Sequence, residues 1–187
     1  MQGDLTKPAS LPAAFDDVDH LIFTAGVRSG RLTRSSVTRA TEYEGVLHTL
    51  AAAQAQKFRG RIVYLTSIGI RRPSLFAKGL NMWKGGTIRW RHLAEESIRA
   101  SGFDYTIVRA AFLVNRPPRQ RQIAVRQLES ALTFSEAIAR SDVAEALVEA
   151  LHHPRASRAT FEVKWTTGPR TASWPELFGA LTPDPQG

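Results

Sequence analysis

Apolar runs with β character alternate along this chain with stretches of helical spacing. Residues 18–26 (VDHLIFTAG) form a compact apolar run stopped by Thr-Ala-Gly. From about Ala40 to Phe58, apolar residues fall at Tyr43, Val46, Leu47, Leu50, Ala51 and Phe58, which is helical spacing, after a polar Arg/Ser/Thr-rich link that runs to about Arg39. Arg59-Gly60 closes that helix, and Arg61–Ser67 (RIVYLTS) follows as a strand of the fully buried, parallel kind, ending in Thr-Ser and then Ile68-Gly69-Ile70. A second helix is expected over residues 87–100, stopped by Ser101-Gly102, with the strand DYTIVR over residues 104–109 behind it. Strand, helix, strand at this spacing is a βαβ unit, so the fold class is α/β: a parallel sheet with flanking helices. Chemistry or ligand binding then belongs at the carboxyl ends of the strands, with Ser67 the first residue of interest.

The remaining elements are shorter. Residues 3–15 read as a Gly-Asp turn and a short helix with Ser10 as N-cap and Pro12 in its first turn. Residues 70–86 are irregular, with Pro73, Gly79, Phe76, Met82 and Trp83. They read either as a lid over the strand end or as an insertion packed on the surface. Gln122 to Arg126 is a short strand. Residues 141–153 form an amphipathic helix capped by Ser141 or Asp142, residues 159–165 alternate like a strand, and residues 173–181 form a terminal helix with Ser173 as N-cap. Residues 1–181 are read as one domain and residues 182–187 as a frayed tail.

Composition narrows the picture. A chain of 187 residues with 43% hydrophobic and 22% charged residues is of globular type and long enough for a sizeable core. The chain contains no cysteine, which rules out disulfides and thiolate chemistry and fits a cytoplasmic protein. No apolar run is long enough for a membrane span, and no signal peptide pattern opens the sequence. The net charge is +8, and Arg116, Arg119, Arg121 and Arg126 lie within eleven residues beside two prolines. Without a helix-turn-helix, RNA-binding or finger pattern, this cluster reads as a solvated loop beside a phosphate-bearing ligand rather than a nucleic-acid site. His20, His48, His92, His152 and His153 lack metal-ligand spacing, so no metal site is expected. Glu95 and Glu96 diverge by about 100° on a helix and are not a catalytic pair. No nucleophile elbow supports a hydrolase.

The segments GDLTKPASLPAAFDDVDHLIFTAG, EYEGVLHTLAAA, GRIVYLTSIG, HLAEESIRASGFDYTIVRA and RSDVAEAL, in this order, resemble the atypical short-chain dehydrogenase/reductases of the NAD(P)H-binding, NmrA-like branch. The resemblance implies a Rossmann-type sheet, a nicotinamide cofactor (NADP or NAD), and activities from small-substrate reduction to redox sensing. It implies that Asp4 and Leu5 lie beside the adenine, and that Thr24, Ala25 and Gly26 form a platform under the adenosine. Thr66 and Ser67 would lie near the nicotinamide, with Ser67 at the family's substrate-polarising serine. Arg109, Ala110, Ala111, Phe112 and Leu113 would form the loop at the carboxamide. The alternative for residues 24–26 is an ordinary strand-ending turn, and for Ser67 a cap for the next helix.

Two departures from the family's pattern stand out. The Gly-rich turn that cradles the pyrophosphate at a helix N-terminus has no counterpart in this sequence. The chain therefore reads as lacking roughly fifty to sixty residues, about two βα units, with weak or absent cofactor binding. The strand at residues 18–24 would then be an open edge, through which a homo-oligomer, or else an aggregation-prone chain, is expected. The second departure is catalytic. The family's helical Tyr-x-x-x-Lys, in which lysine lowers the tyrosine pKa for proton donation, falls on Thr87 and Arg91 when the helix is anchored at Ala94-Glu95-Glu96. Tyr105 and Arg109 have the spacing but lie on a strand, where positions four apart do not meet as they do on a helix. The expectation is an oxidoreductase-like NAD(P)-binding protein without the normal relay. The alternative is a non-catalytic dinucleotide sensor or interaction scaffold. The substrate and the choice between NAD and NADP are not encoded in these residues.

Overall fold

The computed structural model describes residues 3–27, 33–72, 86–131, 133 and 135–185. A five-stranded sheet has the order β1-β2-β3-β7-β5, with β1 Leu21–Phe23, β2 Arg61–Ser67, β3 Asp104–Ala110, β5 Gln122–Arg126 and β7 Ala159–Thr166. All pairings are parallel except β5 with β7. Ile62, Val63, Tyr64, Ile107 and Val108 are all buried, which is why the two central strands read as continuous apolar runs rather than alternating ones. Their register sets Thr66 opposite Arg109 and Ser67 opposite Ala110.

Helices cover both faces. On one side lie α1 (Ser35–Arg39), a π-helical turn (Ala40–Glu44), α2 (Gly45–Ala55) and α3 (Thr87–Ala100). There Val46, Ala94 and Ile98 pack on Phe23, Tyr64, Tyr105 and Ile107. On the other side α4 (Arg140–His152) buries Val143, Ala146, Leu147 and Ala150 against Val63, Val108 and Phe161, joined by Trp174 and Phe178 of α5 (Trp174–Phe178). Ser173 caps α5 in a capping box with Glu176, as its sequence predicts.

Several expectations are corrected by local physics. Helical structure begins at Ser35, inside the stretch expected as a link, and stops at Ala55. The reversal is made by Lys57 at φ 55, where the amides of Lys57 and Phe58 bond back to Gln54 and Ala53. A lysine in the left-handed region gives no sequence signal. Gly60 instead permits a close backbone approach, since a Cβ there would lie 1.6 Å from the carbonyl oxygen of Asp19. Ser10 caps no helix. It ends the 3-10 turn Pro8–Ser10, ahead of a second one at Pro12–Phe15, and closes a turn by accepting from the Asp4 amide at 2.9 Å. Neither Ser141 nor Asp142 caps α4. Buried Asp142 instead accepts from the Arg119 amide and the Trp165 indole, both at 2.8 Å, and so fastens the arginine-rich loop to the start of α4. A second, two-stranded sheet pairs β4 (Phe112–Val114) with β6 (Ala137–Ala139), and no expectation covered it.

The tail from Thr182, expected to fray, is tied down as far as Asp184. Thr182 bonds to Gln127, and Asp184 accepts from Arg99, Tyr105 and Thr160. Burial, followed by the charge and hydrogen bond of Asp184, pushes the Tyr105 phenol up to about 12. A folded pKa raised above the ordinary value near 10 means that this contribution to stability is complete below about pH 10 and fades as pH rises toward 12. Urea midpoints should therefore fall with alkaline pH. Tyr105→Phe should remove part of that slope, and an unchanged slope would show that another group sets it.

Candidate functional site

The carboxyl ends of β1, β2 and β3 meet on one side of the sheet, as the parallel register requires. Beyond β1, Thr24, Ala25 and Gly26 are exposed and non-helical. Beyond β2, Thr66 is buried and Ser67 half-buried, and the chain turns away through Gly69 at φ 87, with the Ile68 amide bonded to Ala110 O at 3.0 Å. No helix starts within two residues of Ser67, so Ser67 is not the cap of an adjoining helix. Ala110, Ala111, Phe112 and Leu113 continue from β3 into β4. The Ala111 amide bonds to Val163 O and the Phe112 amide to Glu136 O, both at 3.1 Å. The structure thus brings together residues 24–27, Thr66, Ser67 and the segment after Arg109 at one end of the sheet. Most of the irregular stretch 70–86 lies outside the described residues, so its reading as a lid or an insertion does too.

Arg109 itself turns away from this crevice. The residue is 4% exposed, and its guanidinium is held by Glu95 on α3 at 3.1 and 2.6 Å. Any ligand contact from this loop therefore comes from the residues after it. Asp4 and Leu5 sit over the start of α2. The Asp4 carboxylate closes its own turn on Thr6 at 2.9 and 2.7 Å, Leu5 packs on Gly45, and His48 donates to Leu5 O at 2.7 Å.

The two positions expected for the proton relay are occupied by a different device, one that no sequence expectation named. Glu42, in the π-helical turn, is 1% exposed. Its carboxylate accepts from Thr87 Oγ1, from Arg91 Nε at 3.1 Å and Nη2 at 3.0 Å, and from the Val27 amide at 3.2 Å. A Cβ on Gly26 would lie 3.3 Å from both Arg91 Nη2 and Glu42 Oε1, so residues 26–27 rest directly on this ion pair. Burial works against the Arg91 charge. Glu42 outweighs it and holds the guanidinium pKa above its usual value. Burial also pushes the phenol of neighbouring Tyr64 far above the usual tyrosine range, against the pull of Arg91, so Tyr64 stays protonated. A signal for Glu42 was present in the sequence. Thr38, Glu42, Val46, Thr49 and Ala53 follow one another at helical spacing, and all are buried. An acidic residue on that inward stripe needs a buried partner.

The residues at this end suit a nicotinamide dinucleotide in their chemistry. The exposed ledge of Thr24, Ala25 and Gly26 carries little side chain, as a flat adenosine requires, and polar Thr66 and Ser67 close the neighbouring strand. A family model described as NAD(P)H-binding matches residues 1–154. Sanguinarine reductase from Eschscholzia californica is 26% identical over 215 residues, an alignment covering 97% of this chain and 75% of that protein. Among solved structures, the oxidoreductase ylbE from Lactococcus lactis superposes with a TM-score of 0.74 at 17% identity, covering 97% of this chain and 76% of that one. A short-chain dehydrogenase/reductase from Veillonella parvula in complex with NADP gives 0.64 at 18% identity, covering 87% and 70%. The two structural likenesses show a shared fold.

Proposed function

From the premise that this chain belongs to the NAD(P)H-binding family, we propose that it is of the atypical short-chain dehydrogenase/reductase type, binds a nicotinamide dinucleotide weakly and lacks that type's proton relay. Residues 24–27 would carry the adenosine, Thr66 and Ser67 the nicotinamide side, and Ala110, Ala111, Phe112 and Leu113 the carboxamide. When bound, the reduced nicotinamide supplies a hydride. Ser67 would polarise a substrate carbonyl. The observation that carries this reading is the Glu42 ion pair. A relay needs a phenol at position 87 and a mobile cation at position 91. Thr87 has no comparable acidity, and its hydroxyl is spent on Glu42. Arg91 is neutralised by the same carboxylate and cannot exchange protons as a lysine does.

The same ion pair favours a second reading, a dinucleotide-sensing regulator or scaffold that uses the fold without hydride transfer. An assay of NADPH and NADH oxidation against a carbonyl panel is expected to show no turnover above background. Turnover that is lost in Ser67→Ala would refute the non-catalytic part of the proposal and leave the binding part standing.

A further inference from the structure

We infer that Glu42 is a positioning residue for the adenosine end of the dinucleotide site, an inference that rests on the reading above. Its carboxylate is the point at which three segments distant in sequence converge. Oε1 takes the Val27 amide at 3.2 Å and Arg91 Nη2 at 3.0 Å, and Oε2 takes Arg91 Nε at 3.1 Å and the Thr87 hydroxyl. Val27 closes the ledge formed by Thr24, Ala25 and Gly26, all of them exposed and without regular secondary structure of their own. Among the described residues, β1 pairs only with β2, over Leu21 to Phe23. The ladder therefore ends at Phe23, and the ledge beyond it is held from below by Glu42 and the side chain of Arg91.

The local backbone places Glu42 for this role. It sits in a π-helical turn between α1 and α2, and such a widened turn is a recurrent device for re-aiming a side chain at a functional site. The absence of a Cβ at Gly26 lets the chain descend onto the ion pair, where a Cβ would stand 3.3 Å from both partners. Arg91 then has a defined task. It fixes the carboxylate so that Oε1 faces the Val27 amide, and this task accounts for a charged pair in a place where an apolar pair would fill the space.

Two variants separate positioning from simple stabilisation. Glu42→Gln keeps an acceptor for Val27 but leaves Arg91 without a counter-charge. Glu42→Leu combined with Arg91→Leu removes both charges in similar volume, which commonly preserves stability, but leaves the Val27 amide without its acceptor. The single variant is expected to melt earlier while keeping Val27 slow in amide exchange and the adenosine end bound. The double variant is expected to melt close to the parent, to exchange Val27 quickly, and to lose about tenfold or more in affinity, equally for NADPH and for ADP-ribose. A double variant with slow Val27 exchange or parental affinity would overturn the inference, as would affinity that simply follows melting temperature in both variants. If the parent chain binds neither NADPH nor ADP-ribose, the dinucleotide reading fails, and the contrast in Val27 exchange still decides whether Glu42 seats the ledge.

Discussion

Replacing Glu95 with alanine is expected to destabilise the protein by about 3–5 kcal/mol, the range for breaking a buried ion pair from one side. Glu95 is fully buried on α3 and joins Arg109 of β3 at 2.6 Å to Arg99 at 3.2 Å. Without it, Arg99 can fall back on Glu96 and Asp184, at 2.9 and 3.3 Å. Among the described residues, the ion pair of Arg109 is with Glu95, and its neighbour across the strands, Glu162, accepts instead from the Ser130 amide at 2.8 Å. Arg109, 4% exposed, would then keep its charge in the interior without this partner. Since domains of this type are stable by only about 5–15 kcal/mol, the urea midpoint should fall by a large fraction. Changing Glu95 and Arg109 together to leucine should recover much of the loss. Arg119→Ala, which removes an ion pair with Arg119 70% exposed, should cost about 0–1 kcal/mol. A Glu95→Ala loss no larger than that of Arg119→Ala would show that the pair is not what locks α3 to β3.

How much of this was legible in the sequence depended on whether a pattern was long enough to carry a period. Arg61–Ser67 and Asp104–Ala110 were legible because unbroken β-branched and aromatic runs imply burial on both faces. β4 and β6, at three residues each, are too short to show any period. The end of α2 was misplaced because Gly60 suggests a helix stop, whereas it serves a backbone crossing and Lys57 makes the reversal. Proline-rich composition suggests fraying in the tail, whereas one side chain, Asp184, fastens it through tertiary bonds that no local rule foresees. That Thr24, Ala25, Gly26, Thr66 and Ser67 lie at or just beyond the carboxyl ends of parallel strands was legible from the apolar runs they terminate, whereas a role toward a cofactor came from the family resemblance. What Thr87 and Arg91 do could not be foreseen, because their partner Glu42 lies more than forty residues away in sequence.

The second large effect concerns cofactor affinity. On the proposed reading, residues 24–27, Thr66, Ser67 and residues 110–113 would supply contacts for the two flat ends of a dinucleotide. The sequence contains no Gly-x-Gly-x-x-Gly turn to aim amides and a helix dipole at the pyrophosphate. Omitting such an anchor removes several charge-assisted hydrogen bonds, and each ~1.4 kcal/mol lost is tenfold in affinity. Millimolar binding is therefore expected in place of micromolar. Much of what remains should come from the net charge of +8 and the arginine-rich loop after β4, an attraction that salt screens. The most direct measurement is a calorimetric titration of this chain with NADPH and NADH at low and at high salt. The account predicts dissociation constants in the millimolar range that weaken steeply as salt rises. Micromolar affinity insensitive to salt would contradict it.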